Sequence, residues 1–249
     1  MHRLYQLLLS TIVCFFLSGS PLLAQGSGDG SNNEVAASAS TSLFEQIIGG
    51  GWAMIPLGLC SLVMFFLIIY CYRETARNRF VPVAVKAQVS EYMRERDVVA
   101  ANNLLSGVDS VLSRVLVPAL GRLREDRENL NIAKAEETVI EKLDAEESNS
   151  GQWINYLNVV AGIAPMIGLL GTVSGMIGAF KTIGSGGMGK PELLAGDIGE
   201  ALFTTATGLV IGIPAMIAYF FMRNRLTSRI TETHQVATDL LDELDHPGE

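Results

Sequence analysis

The sequence predicts an all-α integral membrane protein. It has three transmembrane helices, the last two extended into a cytoplasmic helical bundle, behind a cleavable signal peptide. Three observations lead there. No charged residue occurs between Glu45 and Arg73, from Ser148 to Phe180, or from Ala201 to Met222, and about 20 apolar residues suffice to cross roughly 30 Å of hydrocarbon. The more polar stretches repeat apolar residues at helical spacing and nowhere alternate as strands do. Finally, Arg73, Arg77 and Arg79 follow the first apolar run, and Arg223, Arg225 and Arg229 follow the third. That bias marks the cytoplasmic side.

The elements follow in order. Residues 1–24 read as the signal peptide, with Arg3 as the positive start, an apolar core over 7–17 and a cleavage site at the end of Pro21-Leu22-Leu23-Ala24. An uncleaved anchor is the alternative. Residues 25–51 form a periplasmic leader rich in Gly, Ser, Ala and Asn. It holds a short amphipathic helix over 42–48, ended by Gly49-Gly50-Gly51. The first span covers 52–72, with Trp52, Tyr70 and Tyr72 as interfacial aromatics. Residues 73–152 are a cytoplasmic helical domain, with helices over 81–93, 97–105, 110–123 and 131–147 and a break at Ser106-Gly107. Val111, Val115, Leu116 and Leu123 mark one inner face, and Ile132, Val139, Ile140 and Leu143 another. The second span is 153–180, a periplasmic loop 181–196, the third span 197–222, and the cytoplasmic C-terminal helix 223–249. Leu226, Ile230, Ala237, Leu241 and Leu244 continue the third span's helical spacing into that tail. The helix before the second span likewise runs on into it. The mature N-terminus is thus periplasmic and the C-terminus cytoplasmic.

Composition narrows the function. The net charge of −8 comes from acidic and basic residues mixed in the polar segments, and no basic block suggests nucleic acid. Cys14 lies in the signal, Cys60 and Cys71 in the first span. His2, His234 and His246 are far apart. These positions offer no metal site, cofactor site or catalytic constellation, so the chain is not read as an enzyme. Gly184-Ser-Gly-Gly-Met-Gly-Lys190 has phosphate-loop spacing, but Pro191 stands where Ser or Thr should hold magnesium and no strand precedes it. A flexible turn is the reading.

The chemistry lies in the last two spans. On the third, Glu200, Thr204, Thr207 and Ile211 share one helical face, and Thr205, Gly208 and Gly212 lie on an adjoining one. A charge within a span costs at least about 2.5–3.5 kcal/mol and turns towards partners or water. The alternative is that Glu200 caps the helix start at headgroup level, where a negative charge suits the dipole. On the second span, Gly168, Gly171, Gly175 and Gly178 recur every three or four residues around Thr172 and Ser174. Small residues at this spacing admit a second backbone, and the hydroxyls either bond across helices or line water.

The stretch 163–180, Ile-Ala-Pro-Met-Ile-Gly-Leu-Leu-Gly-Thr-Val-Ser-Gly-Met-Ile-Gly-Ala-Phe, resembles the second span of the ExbB/TolQ/MotA proton-channel family. The stretch 198–215, Ile-Gly-Glu-Ala-Leu-Phe-Thr-Thr-Ala-Thr-Gly-Leu-Val-Ile-Gly-Ile-Pro-Ala, is similar to its third. The resemblance covers about residues 43–244 and is nearer ExbB, the biopolymer transport protein, than MotA. It implies a homo-oligomer, a pentamer, whose second and third spans surround a pore holding single helices of an ExbD-like partner with an essential aspartate. Protons are the coupling ion, no cofactor is needed, and the motion passes to a TonB-like protein in the inner membrane. The family's polar pore positions map onto Thr172, Glu200 and Thr205, with Thr204 an extra hydroxyl. Gly168, Gly171, Gly175, Gly178, Pro165, Gly208, Gly212 and Pro214 are assigned to helix packing. Tyr219-Phe220 departs from the family's frequent Tyr-Asn pair, and a cleavable leader departs from its short N-termini. The other readings are a TolQ-like role in envelope integrity and a non-conducting scaffold.

Overall fold

The computed structural model describes residues 51–125, 132–184 and 191–245. The signal peptide, the amphipathic stretch 42–48 and all but the first residue of the phosphate-loop lookalike lie outside them. The described residues form seven helices and no strand: α1 (Met54–Glu74), α2 (Arg77–Phe80), α3 (Val83–Arg94), α4 (Val98–Ser106), α5 (Val111–Glu125), α6 (Ile132–Gly184) and α7 (Pro191–Asp245).

Length explains the roles of the long helices. At 1.5 Å per residue, the 21 residues of α1 reach about 32 Å, one bilayer core. The 53 residues of α6 and 55 of α7 reach about 80 Å each, so both must leave the hydrocarbon. Each of the three contains an apolar window able to cross a membrane. The helical parts of 181–196 narrow the predicted loop, since α6 persists to Gly184 and α7 starts at Pro191.

By their internal contacts the described residues form two units, one comprising 51–54, 171–184 and 191–204, the other 55–125, 132–170 and 205–245. In the second unit, the short helices pack in sequence, α3 on α4 and α4 on α5. Asp97 caps α4 by accepting from Ala100 N at 2.9 Å. The core buries Val89, Met93, Ala101, Leu105, Leu112, Val115, Leu116 and Leu120. On α6, Ala135, Val139 and Leu143 are buried, whereas Ile140 is 49% exposed. Ile140 directly follows buried Val139, and one residue turns a helix by about 100°. In the tail of α7, Leu226, Ala237, Leu241 and Leu244 are buried.

Polar ties join these helices. Ser90 Oγ donates to Glu243 at 2.6 Å, and Arg94 reaches the same carboxylate at 3.1 Å. Arg114 Nε donates to Glu146 at 2.7 Å and bonds Asp109 at 2.6 Å. The Glu146 hydrogen bond, with both carboxylate charges, outweighs partial burial and raises the Arg114 pKa. Below α1, the Arg225 guanidinium lies 4.4 Å from the Tyr72 ring centroid and donates to Thr75 O at 3.2 Å. Arg77 and Arg229 both bond Glu232 at 2.6 Å.

Candidate functional site

In the first unit, α6 and α7 approach through small residues. A Cβ on Gly175 would stand 2.8 Å from Ala201 Cβ and 2.9 Å from Asp197 O. One on Gly171 would stand 2.7 Å from Thr204 Cβ. Real Cβ atoms do not come this close to other heavy atoms, so glycine sets the spacing. At Gly178 the nearest contact would be 3.7 Å from Asp197 Oδ2, ordinary van der Waals distance, so that glycine is not required by packing here.

This geometry places the polar residues of the unit. Thr204 is buried at 1% exposure against Gly171, and its hydroxyl donates to Ala201 O at 2.8 Å. It therefore occupies the helix seam. Thr172, one residue beyond Gly171, is half-buried. Glu200 is also half-buried, and its carboxylate lies against Gly51, where a Cβ would collide with Oε1. Trp52 Nε1 donates to Ser174 Oγ at 3.2 Å. Asp197, at the start of the third span and not among the pathway residues expected from sequence, receives a 3.4 Å hydrogen bond from Thr182 Oγ1. Its signal was available, since Asp197 and Glu200 are three residues apart and share a helical face.

The second unit repeats the pattern. A Cβ on Gly208 would come 2.7 Å from Ala164 O and 3.2 Å from Gly168 Cα. A Cβ on Gly212 would come 2.7 Å from Pro165 Cγ and 3.0 Å from Ala161 O. Proline at 165 leaves that carbonyl without its usual i+4 donor, and its ring fills the notch left by Gly212. Thr205 Oγ1 donates across helices to Gly168 O at 3.0 Å. Pro214 lies within α7 and is half-buried. A polar cleft of about 390 Å³ is lined by Asp144, Glu147, Gln152, Asn155 and Arg223 among others.

Much apolar surface is left uncovered. Only 22, 28 and 33% of the apolar windows of α1, α6 and α7 are buried within the chain. Leu169, Leu170, Met176, Leu202, Ile213 and Phe220 are all exposed. Surface of this kind belongs in lipid or against other membrane helices.

Paired long helices with a glycine seam, hydroxyls and the two carboxylates of Asp197 and Glu200 define a membrane-embedded channel-type subunit. Residues 107–235 match the MotA/TolQ/ExbB proton channel family, and the chain belongs to that family. It is 32% identical over 201 residues to the biopolymer transport protein ExbB of Neisseria meningitidis serogroup A, covering 75% of this chain and 90% of that one. It is 42% identical over 89 residues to ExbB of Xanthomonas campestris pv. campestris, covering 36% and 35%. It is also 38% identical over 90 residues to the Tol-Pal system protein TolQ of Haemophilus influenzae, covering 36% and 38%. The chain is thus a membrane protein with a general proton-channel role.

Proposed function

We propose that this chain is the proton-conducting stator subunit of an ExbB–ExbD–TonB-type complex in the bacterial inner membrane. A pentamer of the chain would surround the single-span helices of an ExbD-like partner and pass their proton-driven motion to a TonB-like transducer for outer-membrane import. Glu200, Thr172 and Thr205 are the polar residues of the pathway. Thr204 joins them in sequence but holds the seam through Gly171. The observation that carries the reading is Glu200 itself: a half-buried carboxylate on an apolar helix, where a scaffold would have no reason to keep one. The exposed apolar faces of α6 and α7 support further subunits around them.

Proton uptake by proteoliposomes, with the chain alone and with its partner, tests this. Flux is expected only with the partner and is lost in Glu200→Gln. Partner-independent flux, indifferent to that substitution, refutes it. A TolQ-like role is the second reading, favoured by the similarity to the Haemophilus protein. Co-purification with a TolA-like rather than a TonB-like protein would establish it.

A further inference from the structure

The turn that opens α1 touches the pathway carboxylate. Gly51 has φ +65°, a left-handed conformation that suits glycine, and its carbonyl accepts from Met54 N at 3.2 Å to start the helix. A Cβ there would fall on Glu200 Oε1, with Cδ at 3.0 Å and Cγ at 3.9 Å. The Gly51 Cα–H bond in that direction therefore points at the carboxylate oxygen. The next residue anchors the turn. Trp52 is 55% exposed, so its ring is not held by a core, but its indole N–H bonds Ser174 on α6. The turn thus bridges α6, through Trp52, and the acidic side chain of α7, through Gly51.

We infer that Gly51 and Trp52 are positioning residues for Glu200: the glycine leaves room for the carboxylate, and the indole bond to Ser174 holds the turn against it. A glutamate has three rotatable side-chain bonds and on an open helix face would sample many water-facing rotamers. Backbone at Gly51 removes those that pass through it. The other described ionisable side chains of this unit are Asp197, on the same helix and hydrogen-bonded by Thr182, and Lys181 at the end of α6. Neither belongs to the turn, so a change at residue 51 reaches Glu200 without altering charge.

This inference rests on Glu200 being the proton-carrying carboxylate, and the experiment separates the two. Proton flux and its pH profile are measured in proteoliposomes of the full-length chain with its partner, for wild type, Gly51→Ala, Gly51→Asn, Trp52→Phe, Glu200→Gln and Gly51→Ala/Glu200→Asp. Gly51→Ala and Gly51→Asn are expected to lower flux about tenfold or more, the effect of roughly 1.4 kcal/mol in a barrier, and to shift the midpoint of the pH profile. Asparagine tolerates the left-handed conformation, so equal damage by both assigns the loss to the side chain at Glu200 rather than to backbone strain. Aspartate is shorter by one methylene, and the double variant is expected to recover flux relative to Gly51→Ala. Trp52→Phe keeps an aromatic ring, loses the donor and is expected to shift the same midpoint. It decides the matter should both glycine variants fail to assemble. Wild-type flux and pH profile in Gly51→Ala, or harm from alanine but not asparagine, overturns the positioning role while a dead Glu200→Gln leaves the pathway intact. Full flux in Glu200→Gln overturns both.

Discussion

The seam between α6 and α7 gives an expectation that can be worked from distances. Gly208→Ala puts a Cβ 2.7 Å from Ala164 O and 3.3 Å from its carbonyl carbon. Those are backbone atoms of α6, so relief requires the helices to separate. Gly162→Ala is the matched control, because a Cβ there meets nothing within 4 Å among the described residues. Both substitutions gain the same helix propensity, about 0.8–1.0 kcal/mol, and this cancels when the two are compared. What is left is the overpacking cost at residue 208, about 1–3 kcal/mol. For a chain of this length each kcal/mol moves the melting temperature by about 2–4 °C. Thermal unfolding of the purified chain in detergent, followed by tryptophan fluorescence, reads the gap. Gly162→Ala should melt at or above wild type and Gly208→Ala several degrees below the control. Equal melting temperatures would refute glycine-set helix spacing here. The separation also stretches the Thr205–Gly168 bond, so reduced flux should accompany the lower stability.

Three further outcomes are expected. Thr205→Val keeps the shape but removes the 3.0 Å bond to Gly168 O, at a cost of about 1 kcal/mol; denaturation of the purified chain measures it. Arg225→Lys gives up the guanidinium contact with the Tyr72 ring and the Nε bond to Thr75 O, and should lower stability by about 0.5–1 kcal/mol, read from its melting curve. The third concerns pH. Desolvation raises the Glu232 pKa, but hydrogen bonds and charges from Arg229 and Arg77 outweigh it and hold the value below the ordinary one. A folded pKa below the unfolded one means the stabilisation is complete above the unfolded value and fades as pH falls through the folded value. Melting curves taken through the acid range should therefore lose less stability in Glu232→Gln than in wild type.

The helices were legible in the sequence because their causes are local. Uncharged runs long enough for a bilayer mark the three spans, and the spacing of Val115, Leu116 and Leu123 marks a buried helical face whatever it packs against. Glu200 was legible for a similar reason: a carboxylate beside an apolar run is conspicuous on desolvation cost alone. Ile140 shows the limit, since it fits a helical face as well as Val139 does, and the position of the neighbouring helices makes only Val139 inner.

What the tertiary structure decided is which of two chemically similar residues meets another helix. Gly171, Gly175, Gly208 and Gly212 have atoms of the opposite helix where a Cβ would go, while Gly178 has room. Thr204 is buried at Gly171, and Thr205 bonds a backbone carbonyl. One sequence step separates those threonines, but it is a turn of about 100° on the helix. The contact of Gly51 with Glu200 had no sequence signal at all. It joins a glycine before the first span to a carboxylate near the start of α7, and only the packed chain brings such distant residues within van der Waals reach. By itself the sequence determined that helices span a membrane and that one of them carries an acid. The packing determined what that acid lies against.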